Sequence, residues 1–281
     1  MLRQRVITAL ILVALLLPTL LTSSVVPFSL FALVLAVAGA WEWARLNGLS
    51  GYRAYGYAAL VLAAAAATLM VDGLLLRSGL GWVWLSVMWV VLCCLLLPQG
   101  PQGWGRLPAG FRLVIGLVVM FSTWLALTHA RGVGVNFLLS VMCLVWASDV
   151  SAYFAGHRWG RRRLAPTISP GKTWEGVAGA CTGVLLLGLL WMAAERHLAL
   201  GEPSIFGRAL RDFGGLGLVV VVTVLVALGV VGDLFESMIK RVVGAKDSSQ
   251  LLPGHGGVLD RVDALLPVLP AAMAVLALGQ R

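Results

Sequence analysis

Apolar residues in this chain come in long unbroken runs separated by short polar stretches, and Leu216–Val231 is the plainest of them. Such runs lie near 6–22, 25–41, 56–72, 79–97, 112–129, 135–155, 175–194, 214–235 and 259–279. A helix that crosses a bilayer needs about 20 predominantly apolar residues, so the pattern predicts an all-α polytopic membrane protein with about nine transmembrane helices. A membrane β-barrel would instead alternate apolar and polar residues along short strands. The run at 56–72 is alanine-rich and weak, and the last is interrupted by Asp260, Arg261, Asp263, Pro267 and Pro270. The first, with Arg3 and Arg5 ahead of it and Thr22-Ser23-Ser24 behind, has the outline of a signal peptide. It lacks an Ala-x-Ala site, and cleavage would leave the second run almost at the new terminus, so a retained helix is expected.

Composition agrees. Hydrophobic residues make up 60% and charged residues 12%, against roughly 45–50% and 25% in soluble domains, which excludes soluble and disordered readings. Cys93, Cys94, Cys143 and Cys181 sit inside apolar runs without metal-type spacing and read as packing residues. The net charge of +9 follows the membrane topology rather than nucleic acid. With the N-terminus inside, alternate loops place fifteen of the 21 Lys and Arg residues on one side; Arg77, Arg131, Arg196, Arg208, Arg211 and Arg281 fall on the other. The excess of positive charge on cytoplasmic loops then predicts a cytoplasmic N-terminus, an outward C-terminus, and both long polar loops, 156–174 and 236–258, in the cytoplasm. No organelle-type leader is read, and the cell inner (cytoplasmic) membrane is the expected home. Trp41, Trp43, Trp82, Trp84, Trp159 and Trp174 lie near segment ends, where interfacial anchoring is expected.

The two halves differ in polarity. Before residue 140 the acidic residues are Glu42 and Asp72; from 149 to 263 there are ten. Residues 1–134 therefore read as scaffold helices and 135–281 as the catalytic region, with 98–108 as a Pro/Gly-rich linker.

The acidic residues of the second half carry the candidate chemistry. Asp149, Asp233, Asp260 and Asp263 lie within or at the ends of apolar runs, where a charge costs roughly 2.5–3.5 kcal/mol at mid-membrane. Each needs a partner, a metal or a wet cavity, unless it caps a helix at the headgroups. Asp233, Ser237 and Lys240 share one helix face at i, i+4, i+7. Glu236 and Lys240, at i, i+4, also fit a surface ion pair. Asp260 and Asp263 share a face at i, i+3. An oxygen-only set suits Mg²⁺, which is held by one or two carboxylates plus substrate phosphates. The loop 244–257 is rich in glycine and carries Lys246, Ser248, Ser249 and His255. It reads as a phosphate cradle or as a flexible turn-rich loop, and it is no P-loop. In the other polar loop Arg158 and Arg161–Arg163 serve topology or anionic headgroups. Ser169-Pro-Gly-Lys-Thr-Trp-Glu175 places Lys172 for a phosphate and Thr173 for a helix cap.

The 27 residues from Ser237 to Asp263 resemble the signature of the phosphatidate cytidylyltransferase (CDP-diacylglycerol synthase) family, and Asp149–Gly156 and Ser169–Gly176 resemble its upstream motifs. The resemblance covers 149–263 and carries nothing functional into the first 140 residues. It implies transfer of CMP from CTP to phosphatidate, giving CDP-diacylglycerol and pyrophosphate, with Mg²⁺ and room for a second, monovalent or divalent cation. It marks Asp233 and Asp260 as metal carboxylates, with Asp149 and Asp263 as further candidates. Asp233, Lys240, Asp260 and Asp263 are the implied catalytic set. Ser169, Lys172, Thr173, Ser237, Arg241, Lys246, Asp247, His255, Gly256, Gly257 and Arg261 are the implied substrate contacts. Tyr153 either stacks on cytosine or packs. The implied partners are CTP, phosphatidate and the bilayer; a homodimer is left open. Two other readings stand beside this one: a related lipid nucleotidyltransferase with another acceptor, and a secondary transporter. The transporter would call for inverted repeats, which the sequence does not display.

Overall fold

The computed structural model describes residues 2–70, 79–198 and 201–279. Asp72, Arg77 and Arg281, used above in the acid and charge readings, lie outside them. Every apolar run forms a helix: α1 (Leu2–Leu21), α2 (Val26–Leu46), α3 (Gly51–Met70), α4 (Leu80–Leu96), α6 (Ala109–Val133), α7 (Val135–Trp159), α8 (Trp174–Leu198), α9 (Ile205–Val242), and the broken last segment α10 (Leu259–Val262) with α11 (Leu265–Gly279). Among the described residues, seven helical segments are long and apolar enough to cross a membrane; α1 and α3 fall short of that standard. The chain is thus an all-helical, multi-pass membrane protein, with one small hairpin outside the bundle.

Three loop expectations are corrected. The linker at 98–108 contains a short helix, α5 (Gly100–Arg106). The loop expected from 236 begins only after Val242, because α9 continues through Glu236 and Lys240, whose side chains pair with each other one turn apart. Their pair is buried rather than on the surface, with side-chain exposures of 2% and 11%. The loop 156–174 folds into an antiparallel hairpin of β1 (Arg163–Ala165) and β2 (Ser169–Thr173), with Arg163 opposite Thr173 and Ala165 opposite Ser169.

Helix ends are set by local chemistry. α2 and α9 both close in the same way. Gly48 (φ 94°) and Gly244 (φ 67°) take the left-handed conformation that glycine favours. The residues after them reach back, Leu49 N to Ala44 O at 3.0 Å and Ala245 N to Lys240 O at 3.0 Å. Thr173 Oγ1 accepts from Gly176 N at 3.1 Å, the expected cap of α8. α7 and α8 meet through small residues: a Cβ added at Gly176 would lie 3.0 Å from Ala152 O, so the backbones approach closely.

Two contacts tie the ends of α1 to distant parts of the chain. Thr8, in the first turns of α1, donates to Pro253 O at 2.9 Å. At the other end of the bundle Arg131 of α6 donates to Leu20 O at 3.1 Å. Packing forms two clusters, and each draws residues from before and after residue 134. The cluster nearer the polar loops gathers Trp43, Trp89, Trp104 and Phe235 with ring centroids 5.2–6.3 Å apart. Trp43 and Trp82 are therefore buried packing groups, not interfacial anchors. Trp84, Trp159 and Trp174 are exposed as anticipated.

Candidate functional site

Two polar constructions occupy the end of the bundle that carries the hairpin and the 243–258 loop. They share α9, whose last turns present Asp233 and Ser237 to one construction and Glu236 and Lys240 to the other. Phe235, between them, is locked in the aromatic cluster.

The first is an open cavity of about 640 Å³ between the hairpin, α7 and α9. Asp149, Tyr153 and His157 from α7, Ser169 and Lys172 from β2, and Asp233 from α9 line it. Lys172 Nζ lies 2.7 Å from Asp233 Oδ2 and 3.2 Å from Val230 O. Ser237 Oγ lies 3.3 Å from Asp233 Oδ1. Asp149 and Asp263 are both within Coulombic reach of Asp233 and Lys172. Asp263 arrives there because Gly232 lets α9 approach its backbone: an added Cβ would meet Asp263 O at 2.5 Å. Asp149 and Asp233 thus face the cavity beside one lysine, with Asp263 close behind them. Tyr153 is exposed at the rim, stacked on His157 at 5.9 Å between centroids.

The second construction is closed. Asp260 Oδ1 pairs with Lys240 Nζ at 2.6 Å. Asp260 Oδ2 accepts from Ser248 N at 2.9 Å and Gly257 N at 2.8 Å, and Ser248 Oγ lies 2.9 Å away. Glu42 of α2 accepts from Val258 N at 2.9 Å, Leu259 N at 2.7 Å and Ser249 Oγ at 2.5 Å. The loop expected to cradle a phosphate therefore turns its N–H groups on two carboxylates of the chain itself. Gly256 (φ 82°) makes the turn possible. A Cβ at Gly257 would collide with Ser248 Oγ and the Glu42 carboxylate.

The remaining candidates are distributed around these two. Arg241 ties hairpin to loop, with Nη1 3.2 Å from Ala245 O and Nε 3.4 Å from Ile168 O. Arg261 donates twice to His255 O, at 2.9 and 2.6 Å. Lys246 and Asp247 line a separate cavity of about 800 Å³ with Arg45 and Ser50. The expected substrate contacts are thus divided between two hollows. Asp233 and Asp260, expected together, each bond a different lysine.

Comparison with known proteins gives the family. Residues 3–278 match the profile described as "Cytidylyltransferase family". The chain belongs to that family. A Pseudomonas aeruginosa relative named phosphatidate cytidylyltransferase is 39% identical over 98% of this chain and 97% of its own length. Relatives of the same name from Haemophilus influenzae (33%, 96% of each chain) and Brucella abortus (36%, 86% of this chain and 81% of its own) are similar across most of the length as well.

Within this cytidylyltransferase, sequence reasoning missed Glu42. The signal was present: a lone acid in an apolar run needs a partner, and here the partners lie more than 200 residues away in the chain. The hairpin was missed too: Pro170-Gly171 reads as a loop signal, but it lies inside the second strand, where the pairing register shifts.

The donor set fits a hard divalent cation. Asp149, Asp233 and Asp263 offer oxygen only, and Lys172 pairs with Asp233. Among the described residues no three His, Cys, Asp or Glu side chains already converge as ligands, so an ion here would complete its shell from substrate phosphates and water, as Mg²⁺ commonly does. Asp260 fits less well, since it already takes four hydrogen bonds where Asp233 takes two, and it is the less exposed of the two.

Proposed function

We propose that this chain transfers CMP from CTP to phosphatidate, releasing pyrophosphate, in the cavity lined by Asp149, Lys172 and Asp233. An oxygen of the lipid phosphate attacks the α-phosphorus of CTP. The bond between that phosphorus and the bridging oxygen to the β-phosphate breaks, and its electron pair leaves with pyrophosphate. The lipid phosphate is ionised at neutral pH, so the step asks for no general base. What it asks for is positioning and relief of repulsion between two polyanions. Lys172 stands where a phosphate oxygen would be drawn in, held by Asp233. A Mg²⁺ ion held by Asp149, Asp233 and Asp263 would supply positive charge at the phosphates. Tyr153 offers a ring face at the rim for a base. Ser169 and the exposed backbone of Gly171 face the same space.

The single observation that carries the reading is the Lys172–Asp233 pair beside Asp149 in an open cavity, in a chain whose relatives bear that enzyme name. For topology, the N-terminal turns of α1 and both polar loops share one side, which takes the larger share of the basic residues. We assign that side to the cytoplasm of the inner membrane, with nine passes when α1 and α3 are included.

The test is detergent-purified protein supplied with labelled CTP, phosphatidate and Mg²⁺. CDP-diacylglycerol and pyrophosphate are expected in equal amounts. Absence of both across a panel of divalent ions would reject the activity. Product with another phospholipid but none with phosphatidate would reject the acceptor alone.

A further inference from the structure

Glu42 belongs to α2, in the half of the chain to which sequence alone gave no functional role, and it is fully buried. No lysine or arginine pairs with it among the described residues. Its carboxylate is instead held by the far end of the chain: Val258 N and Ser249 Oγ at Oε1, Leu259 N and Ser248 Oγ at Oε2. Two of these donors are backbone N–H groups at the start of α10, which leave the helix unsatisfied unless an external acceptor meets them. The third and fourth are hydroxyls, and Ser248 Oγ stands between Glu42 Oε2 at 3.1 Å and Asp260 Oδ2 at 2.9 Å. The next residue on α2, Trp43, is locked against Trp104 and Phe235 and donates to Arg112 O at 2.9 Å. α2 therefore delivers Glu42 from a rigid mount.

We infer that Glu42 is a positioning residue for the reaction: it fixes the 248–259 segment and, through Leu259, whose carbonyl accepts from Asp263 N at 2.9 Å, it sets the turn that carries Asp263 toward Asp233 and Lys172, without touching substrate. The inference rests on the transferase reading for its kinetic readout. The chemistry of the site makes Gln a sharp probe. Glutamine has the same shape, but one oxygen becomes an N–H₂ donor. Hydroxyls can turn to accept from it; the backbone N–H of Val258 or Leu259 cannot.

Native protein and Glu42→Gln are purified in detergent, and CDP-lipid formation, thermal melting and trypsin cleavage after Lys246 are followed. Expected for the variant are a kcat lower by about 10–100-fold, the range a small misplacement of reacting groups produces, KM values for CTP and phosphatidate within about threefold, a melting temperature within a few degrees, and faster cleavage after Lys246. Native kcat together with native cleavage rate overturns the inference. If Glu42→Gln does not accumulate, Ser249→Ala takes its place, since Ser249 bonds Glu42 and neither Asp260 nor Lys240. A severalfold fall in kcat at unchanged melting temperature supports the inference, and native kcat overturns it. A native protein that makes no CDP-lipid rejects the activity reading instead, and loop cleavage in Glu42→Gln then decides the positioning role by itself.

Discussion

Two lysine–carboxylate pairs are anchored about two turns apart on α9, one through Asp233 and one through Lys240, and differ in everything around them. Lys172–Asp233 is half-open, with side-chain exposures of 23% and 33%, and faces a cavity together with Asp149. Lys240–Asp260 is closed, at 11% and 7%, and the Asp260 oxygens are saturated by Lys240, Ser248 and Gly257. A charge with spare capacity in reach of water can receive a substrate or an ion. A carboxylate that already takes four hydrogen bonds holds its surroundings in place. Under the proposed function the first pair would carry the chemistry and the second the architecture.

The contrast can be broken by substitution. The largest effect is expected from Lys240→Met. It leaves Glu236 and Asp260 buried without their cation and should cost about 3–5 kcal/mol, read as a collapse of the melting temperature in detergent. A native melting temperature would mean that the closed pair carries no architecture. Next comes Asp233→Asn: turnover should fall on the order of 10²–10³-fold, with melting little changed. Lys172→Met sharpens the comparison, because it removes the counterpart lysine from the open pair. A partly exposed pair stabilises by only about 0–1 kcal/mol, so melting should hold while kcat/KM drops by about 10–100-fold. If Lys172→Met instead unfolds the protein as Lys240→Met does, the two pairs are alike and the assignment fails. The smallest effect is expected from Thr173→Val, which loses the cap of α8 and about 1 kcal/mol with KM for CTP nearly unchanged.

Much of this was legible in the sequence because membrane physics is blunt. Every apolar run became a helix; Asp149 and Asp233 were singled out by charge in apolar surroundings, and Lys172 by its place in the Ser169–Glu175 stretch of a polar loop. What the sequence hid is contact between distant parts. Glu42 looked like an isolated acid until α2 was placed against the start of α10. Glu236 and Lys240 satisfied a surface spacing rule equally well whether buried or exposed, and burial is decided by neighbouring helices, not by spacing. The glycines of 254–257 signalled anion binding correctly, yet the anions they seat are the side chains of Asp260 and Glu42. Lys246 and Asp247 lie within the family signature but face the other hollow, with Arg45 and Ser50.

Which hollow receives the nucleotide is the most direct question to put to the molecule. In a background with Cys93, Cys94, Cys143 and Cys181 replaced by Ala, a single cysteine is introduced by Gly171→Cys in the open cavity, where an added Cβ meets nothing within 4 Å, or by Ser50→Cys in the other. Alkylation is timed with and without CTP. Severalfold protection at position 171 and none at position 50 is the predicted result; protection at 50 with none at 171 would contradict the account.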